Sequence, residues 1–315
     1  MNTNNKLAFV FPGQGSQAVG MMSALAEKYP DVQGCFKQAS EILGYNLWDL
    51  VQNGPEQELN ITAKTQPALL VTSVAIWNLW NRKSGPVPVV MAGHSLGEYS
   101  ALVCAGVLNF TDAITLVADR GRYMQEAVAE GTGSMAAILG LDNKQIEDIC
   151  KNAARDQVVA AANYNSTGQV VIAGHAAAVQ RAVDLAKNAG ARRSILLPVS
   201  VPSHCLLMEP SARQLAERLQ GIRFNAARIP VIQNVDVSTK TDPATIRAAL
   251  TEQLYKPVQW VETIEIMKKQ GITYIVECGP GKVLSGLIKR IDRTIETLPV
   301  YDPESLDTAL SVLSG

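Results

Sequence analysis

Residues 93–97 read Gly-His-Ser-Leu-Gly and place a serine where it can act as a nucleophile. An apolar run at 87–92 precedes this pentapeptide, and a helix-forming segment begins near Glu98. A glycine on each side of the serine allows a tight turn from strand to helix, because a side chain there would collide with the neighbouring strand or helix. The pattern therefore predicts a nucleophile elbow that projects the Ser95 hydroxyl into a cleft.

The same turn supplies part of a site for an oxyanion. The first amides of a helix have no partner within the helix, and the helix dipole favours negative charge beside them. The N–H of Leu96 then points toward any oxyanion that forms beside Ser95. A chance Gly-x-Ser-x-Gly match in a loop is the alternative, and the flanking strand and helix patterns argue against it.

A serine nucleophile needs a base, and the chain has three histidines, His94, His175 and His204. His94 adjoins Ser95, and neighbours on a tight turn diverge, so we expect it to support the elbow rather than to deprotonate the serine. His175 opens a predicted helix and suits a capping or surface role. His204 lies in a loop that two prolines stiffen, which makes it the candidate base. A hydrogen-bonded core histidine is the alternative interpretation of His204.

The base in turn needs an acceptor on its other ring nitrogen, which fixes the tautomer and stabilises the imidazolium. Asp236 is the candidate carboxylate downstream of His204. It is equally typical of a turn residue at the end of a strand, and a backbone carbonyl can orient a histidine in the same way. These residues alone leave the alternatives open.

Strand-like and helix-like segments alternate along the chain, which indicates an α/β fold around a mainly parallel sheet. Strands are predicted at 7–11, 87–92 and 274–277, and helices at 21–29, 67–83 and 111–129. Between 133 and 201 the order becomes strand, helix, strand, strand, helix, strand, at 135–139, 143–154, 158–163, 169–173, 176–189 and 194–199. That order is typical of a ferredoxin-like unit, and the turn-rich residues 165–168 suit a hairpin between its middle strands.

These patterns predict the organisation of the chain into two subdomains. Residues 1–130 and 201–315 form the large α/β subdomain, and residues 131–200 form an inserted, ferredoxin-like small subdomain. The residues from 299 onward are expected to add only a short C-terminal extension.

Composition limits the classes of partner. The chain has 315 residues, of which 47% are hydrophobic and 18% charged, enough to bury a large core. Lys plus Arg is 28 against 29 for Asp plus Glu, so no overall charge attracts nucleic acid or an anionic membrane. The five cysteines are widely spaced and lack a C-x-x-C pair, which fits a reducing cytoplasm. The cysteines and histidines form no ligand cluster in the sequence, so we expect no metal.

Several spaced motifs together resemble the malonyl-CoA:acyl carrier protein transacylases of fatty acid synthesis. They occur in the order of that family and cover nearly the whole chain: Phe-Pro-Gly-Gln-Gly-Ser-Gln at 11–17, the elbow at 93–102, Arg-Gly at 120–121, Val-Pro-Ser-His at 201–204 and Glu-Cys-Gly-Pro-Gly at 277–281. The resemblance implies a hydrolase-like large subdomain and a ferredoxin-like small one, in agreement with the pattern of elements.

The resemblance also implies roles for individual residues. Ser95 and His204 match the nucleophile and the base of the family. The backbone amides of Gln14 and Leu96 match the two donors of its oxyanion hole. Gln253 matches the position whose main-chain carbonyl orients the histidine, so the resemblance favours a carbonyl over the carboxylate considered above.

Arg120 matches the residue that binds the free carboxylate of the malonyl group. A planar guanidinium donates two parallel hydrogen bonds to a carboxylate and stays charged in a dry cleft, which lysine does less well. The alternative is a solvated arginine on an amphipathic helix, an interpretation that suits Arg122. Residues two apart point to different faces of a helix, so one of the pair faces inward.

The reaction that the resemblance implies is a ping-pong transfer through a malonyl-serine ester, without cofactor or metal. The malonyl group passes from malonyl-CoA to the phosphopantetheine thiol of holo acyl carrier protein. A serine thioesterase, a non-catalytic carrier-docking protein and a discrete acyltransferase of a polyketide synthase are the alternatives. A thiol nucleophile at Cys205 is disfavoured, because it adjoins His204 and adjacent residues seldom face each other.

An acidic carrier protein would need a basic surface to dock on, although the chain as a whole is nearly neutral. The candidate basic residues are Lys282, Lys289, Arg290 and Arg293, together with Arg192 and Arg193. The alternative is that these residues form an ordinary solvated face.

Overall fold

The computed structural model describes residues 3–199 and 201–314 of the chain. Within these residues the strands are β1 Thr3–Phe11, β2 Val87–Gly93, β3 Gly133–Leu139, β4 Val159–Ser166, β5 Gln169–His175, β6 Arg193–Leu196, β7 Val231–Ile232, β8 Tyr274–Cys278 and β9 Glu296–Val300. The helices are α1 Ser23–Lys28, α2 Asp31–Leu43, α3 Leu47–Asn53, α4 Glu56–Leu59, α5 Thr62–Arg82, α6 Gly97–Cys104, α7 Phe110–Glu126, α8 Asn143–Ala154, α9 Ala176–Asn188, α10 Glu209–Gln220, α11 Pro243–Glu252, α12 Trp260–Lys269, α13 Val283–Ile291 and α14 Pro303–Ser314. A short 3-10 helix spans Leu206–Met208.

Five strands form a parallel sheet, sheet A, in the order β7-β2-β1-β8-β9. The central strand β1 is fully buried over residues 7–11, as a strand with helices on both faces must be. Its alternate residues face two different cores. Phe9 packs edge-on against Trp77 and Trp80 of α5, whereas Ala8 and Val10 belong to the core that α12 and α13 cover.

Four strands form an antiparallel sheet, sheet B, in the order β4-β5-β3-β6. This is the strand order of a ferredoxin-like unit, so the fold predicted from the sequence, a mainly parallel α/β sheet with a ferredoxin-like insertion, is confirmed. Helices α8 and α9 cover one face of sheet B through a core of small and branched side chains. The opposite face packs on Cys205, just after the chain returns to the other sheet.

Strand β4 also bonds to a segment of the large subdomain outside sheet A. Its Tyr164 N–H donates to the carbonyl of Val258, and the Val258 N–H donates to the carbonyl of Ala162. The chain therefore connects sheet B to the segment before α12 by backbone hydrogen bonds as well as by covalent links. The boundaries at 130 and 200 stay a prediction, and Ser200 lies outside the described residues, as do Met1, Asn2 and Gly315.

The predicted elements are present, with two clear differences. Helix α5 begins at Thr62, five residues before the predicted start, with Pro67 inside it. Gln125 Oε1 accepts the Ala63 N–H at 3.0 Å and so satisfies an amide of the first turn. The region after 299 is more than an extension, because β9 forms an edge of sheet A and α14 packs on it. No helix of the described residues is long and apolar enough to cross a membrane.

Candidate active site

Ser95 lies in the turn between β2 and α6, at the edge where the parallel strands end. Its backbone is in the left-handed region, with φ of 51°. A Cβ on Gly93 would lie 1.8 Å from the carbonyl carbon of Gly97, and a Cβ on Gly97 would lie 2.0 Å from the oxygen of Phe11. Both glycines are therefore required by close approach of the backbone, as the sequence pattern predicts.

Asn234 clamps this turn from the loop after β7. Its Oδ1 accepts the Ser95 N–H at 2.7 Å, and its Nδ2 donates to the carbonyl of Gly93 at 2.6 Å. Sequence reasoning did not identify Asn234. The signal available was topological: β7 lies beside β2 in a parallel sheet, so a polar residue just after β7 lies beside the elbow.

His204 lies within hydrogen-bonding distance of Ser95. Its Nε2 is 2.8 Å from Ser95 Oγ, and its Nδ1 is 2.7 Å from the main-chain oxygen of Gln253. A carbonyl oxygen only accepts, so Nδ1 carries the proton and donates to it. The lone pair of Nε2 therefore faces the serine hydroxyl, which is the tautomer that a general base requires.

Asp236 does not orient His204, so this sequence-based alternative is wrong. The chain reverses here, with the Gln233 N–H donating to the carbonyl of Ser238, and Asp236 lies on the exposed side of that turn. Its carboxylate accepts from Ser238 and pairs with Lys240 instead. It is the turn residue that the other interpretation of the sequence described.

Arg120 extends from α7 to the elbow and is 1% exposed. Its Nη1 donates to Gln66 Oε1 at 2.8 Å, and its Nη2 donates to Gln253 Oε1 at 2.9 Å and lies 3.4 Å from Ser95 Oγ. Arg122 is exposed and pairs with acidic residues on its own helix. The two arginines thus face in opposite directions, and Arg120 is the one that points inward.

The two residues expected to supply the oxyanion-hole amides, Gln14 and Leu96, both line the cavity at Ser95. The loop of Gln14 follows β1 and is tied to the elbow because the His94 N–H donates to the carbonyl of Phe11 at 2.9 Å. Among residues 3–199 and 201–314, the N–H groups of Gln14 and Leu96 donate to no other group. Their use as an oxyanion hole stays a prediction.

Burial dominates the electrostatics of the histidine. Burial and, to a smaller extent, the nearby charge of Arg120 together lower the pKa of His204 to about 3, although the bond to the Gln253 carbonyl acts in the opposite direction. His204 is therefore neutral at physiological pH and able to accept a proton.

The other candidates take structural roles. His94 Nε2 lies 2.8 Å from Asn165 Oδ1 and so donates to it, and its ring packs on Trp260. His175 Nδ1 accepts the Val158 N–H at 3.0 Å. Cys205 is buried, its Sγ bonds to a main-chain carbonyl, and burial raises the pKa of its thiol to about 11, which does not suit a nucleophile.

A cavity of about 450 Å³ opens in front of the serine. Sheet A contributes its loops, and sheet B contributes side chains from β3, β4 and β5. The lining residues include Gln14, His94, Ser95, Leu96, Arg120, Met124, Met135, Asn163, Asn165, Val171, Leu197, Val201 and His204.

A parallel α/β sheet with a serine on a strained turn, a neutral histidine bonded to it and a buried arginine defines a class: enzymes that transfer or hydrolyse acyl groups through a serine. Within that class, the chain belongs to the acyl transferase family, because the family's acyl transferase domain matches residues 8–303.

Known relatives cover almost the whole chain. The malonyl CoA-acyl carrier protein transacylase of Salmonella typhimurium is 56% identical over 306 residues, which are 97% of this chain and 99% of that protein. The enzyme of the same name from Haemophilus influenzae is 58% identical over 303 residues, 96% of this chain and 97% of that protein. The resemblance inferred from the sequence motifs is thereby confirmed.

Solved structures agree with this assignment. An acyl carrier protein S-malonyltransferase from Vibrio cholerae is 57% identical, with a TM-score of 0.94 over 96% of this chain and 99% of that one. A malonyl-transacylase in complex with its type II PKS acyl-carrier protein is 56% identical, with a TM-score of 0.97 over 98% of this chain and 99% of that one.

Proposed function

We propose that this protein transfers the malonyl group of malonyl-CoA to the phosphopantetheine thiol of acyl carrier protein, in fatty acid biosynthesis. The observation that carries the proposal is the buried guanidinium of Arg120, 3.4 Å from the hydroxyl of Ser95. A cation at that position provides a partner for the free carboxylate of a malonyl group whose thioester carbon lies at the serine. Membership of the acyl transferase family and the names of the relatives support the same reaction.

The first half-reaction acylates the serine. His204 Nε2 takes the proton of Ser95 Oγ–H as the oxygen attacks the thioester carbonyl. The resulting oxyanion accepts hydrogen bonds from the amides of Gln14 and Leu96. When the tetrahedral intermediate collapses, the carbon–sulfur bond breaks and coenzyme A leaves with the proton from His204. A malonyl-serine ester remains.

The second half-reaction is the reverse with a new thiol. The phosphopantetheine thiol of the carrier gives its proton to His204, and its sulfur attacks the ester carbonyl. The same amides hold the second oxyanion. The ester bond to Ser95 breaks, and the serine oxygen recovers its proton from His204.

The Arg120 side chain is prepared for an anion by its neighbours. Gln66 and Gln253 hold its two terminal nitrogens from opposite sides, which fixes the plane of the guanidinium. Its Nε is buried and has no hydrogen-bond partner among the described residues. The group thus retains unused donor capacity and full charge in a dry site, where a carboxylate is bound most strongly.

Intact-mass spectrometry tests the proposal. The protein is mixed with malonyl-CoA, with Ser95→Ala as the control, and holo acyl carrier protein is then added. We expect a malonyl adduct on the wild-type protein alone and its passage to the carrier. An adduct that passes to water instead would mean a thioesterase, and a protein that forms no adduct would refute the assignment.

A second carrier class has specific support. The malonyl-transacylase that binds a type II PKS acyl-carrier protein is as similar to this chain as the relatives named for acyl carrier protein. Presenting holo fatty acid and polyketide carriers in competition separates the two, because the physiological carrier is expected to have the higher kcat/KM.

We infer a cytoplasmic site of action from five free thiols, four of them buried.

A further inference from the structure

A buried carboxylate lies directly behind the site and takes part in no step described above. Glu98 is 0% exposed and follows Ser95 by three residues, in the first turn of α6. Its Oε2 accepts the Asn234 N–H at 3.0 Å and the Gln253 Nε2–H at 2.8 Å. Its Oε1 has no partner among residues 3–199 and 201–314. One oxygen thus holds two segments that are remote from each other in the sequence.

The first of these segments controls the backbone of the elbow. The main-chain N–H of Asn234 donates to Glu98. The side chain of Asn234 accepts the Ser95 N–H at 2.7 Å and donates to the Gly93 carbonyl at 2.6 Å. The strained φ of Ser95 is therefore stabilised by a residue whose own backbone Glu98 holds in place.

The second segment contacts the three groups that the reaction uses. The Gln253 main-chain oxygen accepts from His204 Nδ1 at 2.7 Å, and the side-chain Nε2 of Gln253 donates to the carbonyl of Ser95 at 3.0 Å. Its Oε1 accepts from Arg120 Nη2 at 2.9 Å. The Gln253 side chain therefore bridges a guanidinium at its oxygen and the Glu98 carboxylate at its nitrogen.

This bridge fixes which way the amide faces. The amide oxygen must accept from the guanidinium, and the amide nitrogen must donate to a group that only accepts. When Glu98 is ionised, opposite charges at the two ends polarise the amide and strengthen both bonds. Without the acceptor at Glu98, the Gln253 amide nitrogen keeps only the carbonyl of Ser95 as an acceptor, and one of the two supports of Arg120 is held less firmly.

We propose that Glu98 is a positioning residue, which aligns Arg120 and the Ser95–His204 pair through its hydrogen bonds to Gln253 and Asn234. The part of this inference that concerns Arg120 rests on the proposed function, in which Arg120 binds the malonyl carboxylate. The part that concerns the Ser95–His204 pair does not depend on the identity of the acyl group.

The energetic cost of this carboxylate supports a functional role. Burial raises the pKa of Glu98 to about 7, against the bonds from Gln253 and Asn234 and the charge of Arg120, which favour the ionised form. Burying a carboxyl group in a core costs free energy, which its hydrogen bonds only partly offset. A fully buried carboxyl group therefore suggests that its hydrogen bonds have a use. Here both bonds lead to groups at the reacting centre.

The test uses Glu98→Ala, which removes the acceptor, and Glu98→Gln, whose side-chain oxygen can still accept both hydrogen bonds. For Glu98→Ala we expect kcat/KM for malonyl-CoA to fall about 100-fold and for acetyl-CoA about 10-fold, because two buried donors lose their partner. Glu98→Gln restores both values to within about fivefold of the wild type, because the hydrogen bonds remain. Labelling of Ser95 by a small fluorophosphonate, per folded molecule, slows about 10-fold in Glu98→Ala.

Glu277→Ala is the matched control. Glu277 is also fully buried, and its carboxylate accepts two backbone amides, from Leu284 at 2.9 Å and Ser285 at 2.7 Å, at the start of α13. Its removal is expected to lower the melting temperature while the ratio of malonyl to acetyl transfer stays at the wild-type value. If Glu98→Ala does not fold, Glu98→Asp, which is too short to hold both donors, provides the same readouts.

The outcomes separate this inference from the proposed function. A Glu98→Ala protein with the wild-type substrate ratio and the wild-type labelling rate would overturn the positioning role. A wild-type protein that transfers no malonyl group would overturn the proposed function instead. In that case, slower fluorophosphonate labelling of Glu98→Ala still supports the role of Glu98 in aligning Ser95 and His204, and unchanged labelling refutes it.

Discussion

Burial controls the chemistry of the two ionisable side chains nearest Ser95, Arg120 and His204. Arg120 is 1% exposed and His204 is 3% exposed, so neither is screened effectively by water. The charge of Arg120 helps to keep His204 neutral. If Arg120 binds the malonyl carboxylate, as the proposed function requires, that carboxylate offsets the charge and raises the proton affinity of His204. The proposed function thus predicts that substrate selection and activation of the base are coupled through one guanidinium.

Replacement of Arg120 by alanine tests substrate selection. We expect the ratio of kcat/KM for malonyl-CoA to that for acetyl-CoA to fall about 100-fold, because a desolvated ion pair with the carboxylate is lost. Steady-state transfer to a single carrier with each donor gives the ratio. Arg122→Ala is the control, because that side chain is exposed and pairs only on its own helix. An unchanged ratio for Arg120→Ala would refute the assignment.

The depressed pKa of His204 also predicts how stability depends on pH. The folded pKa is about 3 against an ordinary value of 6.5, so the unfolded chain takes up a proton first as the pH falls. The neutral histidine therefore destabilises the folded state progressively below about pH 6.5, by about 2 kcal/mol at pH 5.

Comparison with His204→Gln isolates this effect. The free energy of unfolding of each protein is measured by denaturant titration at pH 7.5 and at pH 5. We expect the wild type to lose about 2 kcal/mol more than the variant between the two values, since glutamine does not titrate. Burial acts in the opposite direction on Glu98, which both proteins share, so its contribution cancels. Equal losses would mean that the histidine is not held neutral.

At the scale of the elements, the junction of β2 and α6 depends on glycine at both ends. The contact of Gly97 is with the oxygen of Phe11, in the central strand of sheet A, where the backbone has no room to move. Gly34 in α2 has nothing within 4 Å of an added Cβ. Gly97 and Gly34 therefore form a matched pair, because an added Cβ would collide with the backbone at Gly97 and would meet no atom at Gly34.

Gly97→Ala is expected to be destabilising by about 3 kcal/mol or more and to lose most of the activity, because the elbow must shift away from the strand. Gly34→Ala is expected to be stabilising by about 1 kcal/mol, because alanine favours a helix and meets no obstacle. Thermal unfolding and acyl transfer by each purified variant provide the measurement. A Gly97→Ala protein as stable and active as the wild type would contradict the close approach.

The sequence predicts those parts of the fold that local pattern determines. The elbow is local, since five consecutive residues define it, and the long apolar strands β1, β2 and β8 are evident from composition alone. The strand β7 has only two residues, too few for any periodicity. The edge strand β9 contains Pro299, which suggests a break in a sequence but is tolerated at the edge of a sheet.

The residues that support the site were not predictable in the same way. Glu98, Asn234 and the Gln253 side chain are isolated polar residues, and Asn234 lies 139 residues from Ser95 in the chain. Asn234 reaches the elbow because the loops after the parallel neighbours β2 and β7 share one edge of sheet A, whereas Gln253 reaches it from the C-terminal end of α11. The residue type makes Asp236 a candidate carboxylate as well as a turn residue, and only the fold shows that the tight turn at 233–238 leaves it exposed.

At the scale of the whole molecule, charge has to be placed locally, because the net charge is only −1. Lys282 precedes α13 in the loop after β8, and Gly279 of that loop lies against Pro12 of the loop after β1. Lys282 therefore lies on the same edge of sheet A as the elbow. Arg290, another candidate for carrier docking, donates to Gln169 of β5 at 2.6 Å and so links α13 to sheet B. Reversing its charge would disturb the structure as well as any docking surface.

Reversal of Lys282 and Lys289 to glutamate is therefore the cleaner test of docking. Both side chains are exposed, Lys282 just before α13 on the elbow edge and Lys289 in the last turn of that helix, so an acidic carrier that docks along α13 would lose two attractive charges and meet two repulsive ones. We expect KM for holo carrier protein to rise about 10-fold at low salt and the increase to shrink as salt is added, while KM for malonyl-CoA stays unchanged. Lys37→Glu, an exposed reversal on α2, which packs on α5 on the face of sheet A opposite to α13, is the control and is expected to leave both constants unchanged. Equal changes in the two KM values of the double variant would place the carrier elsewhere on the surface.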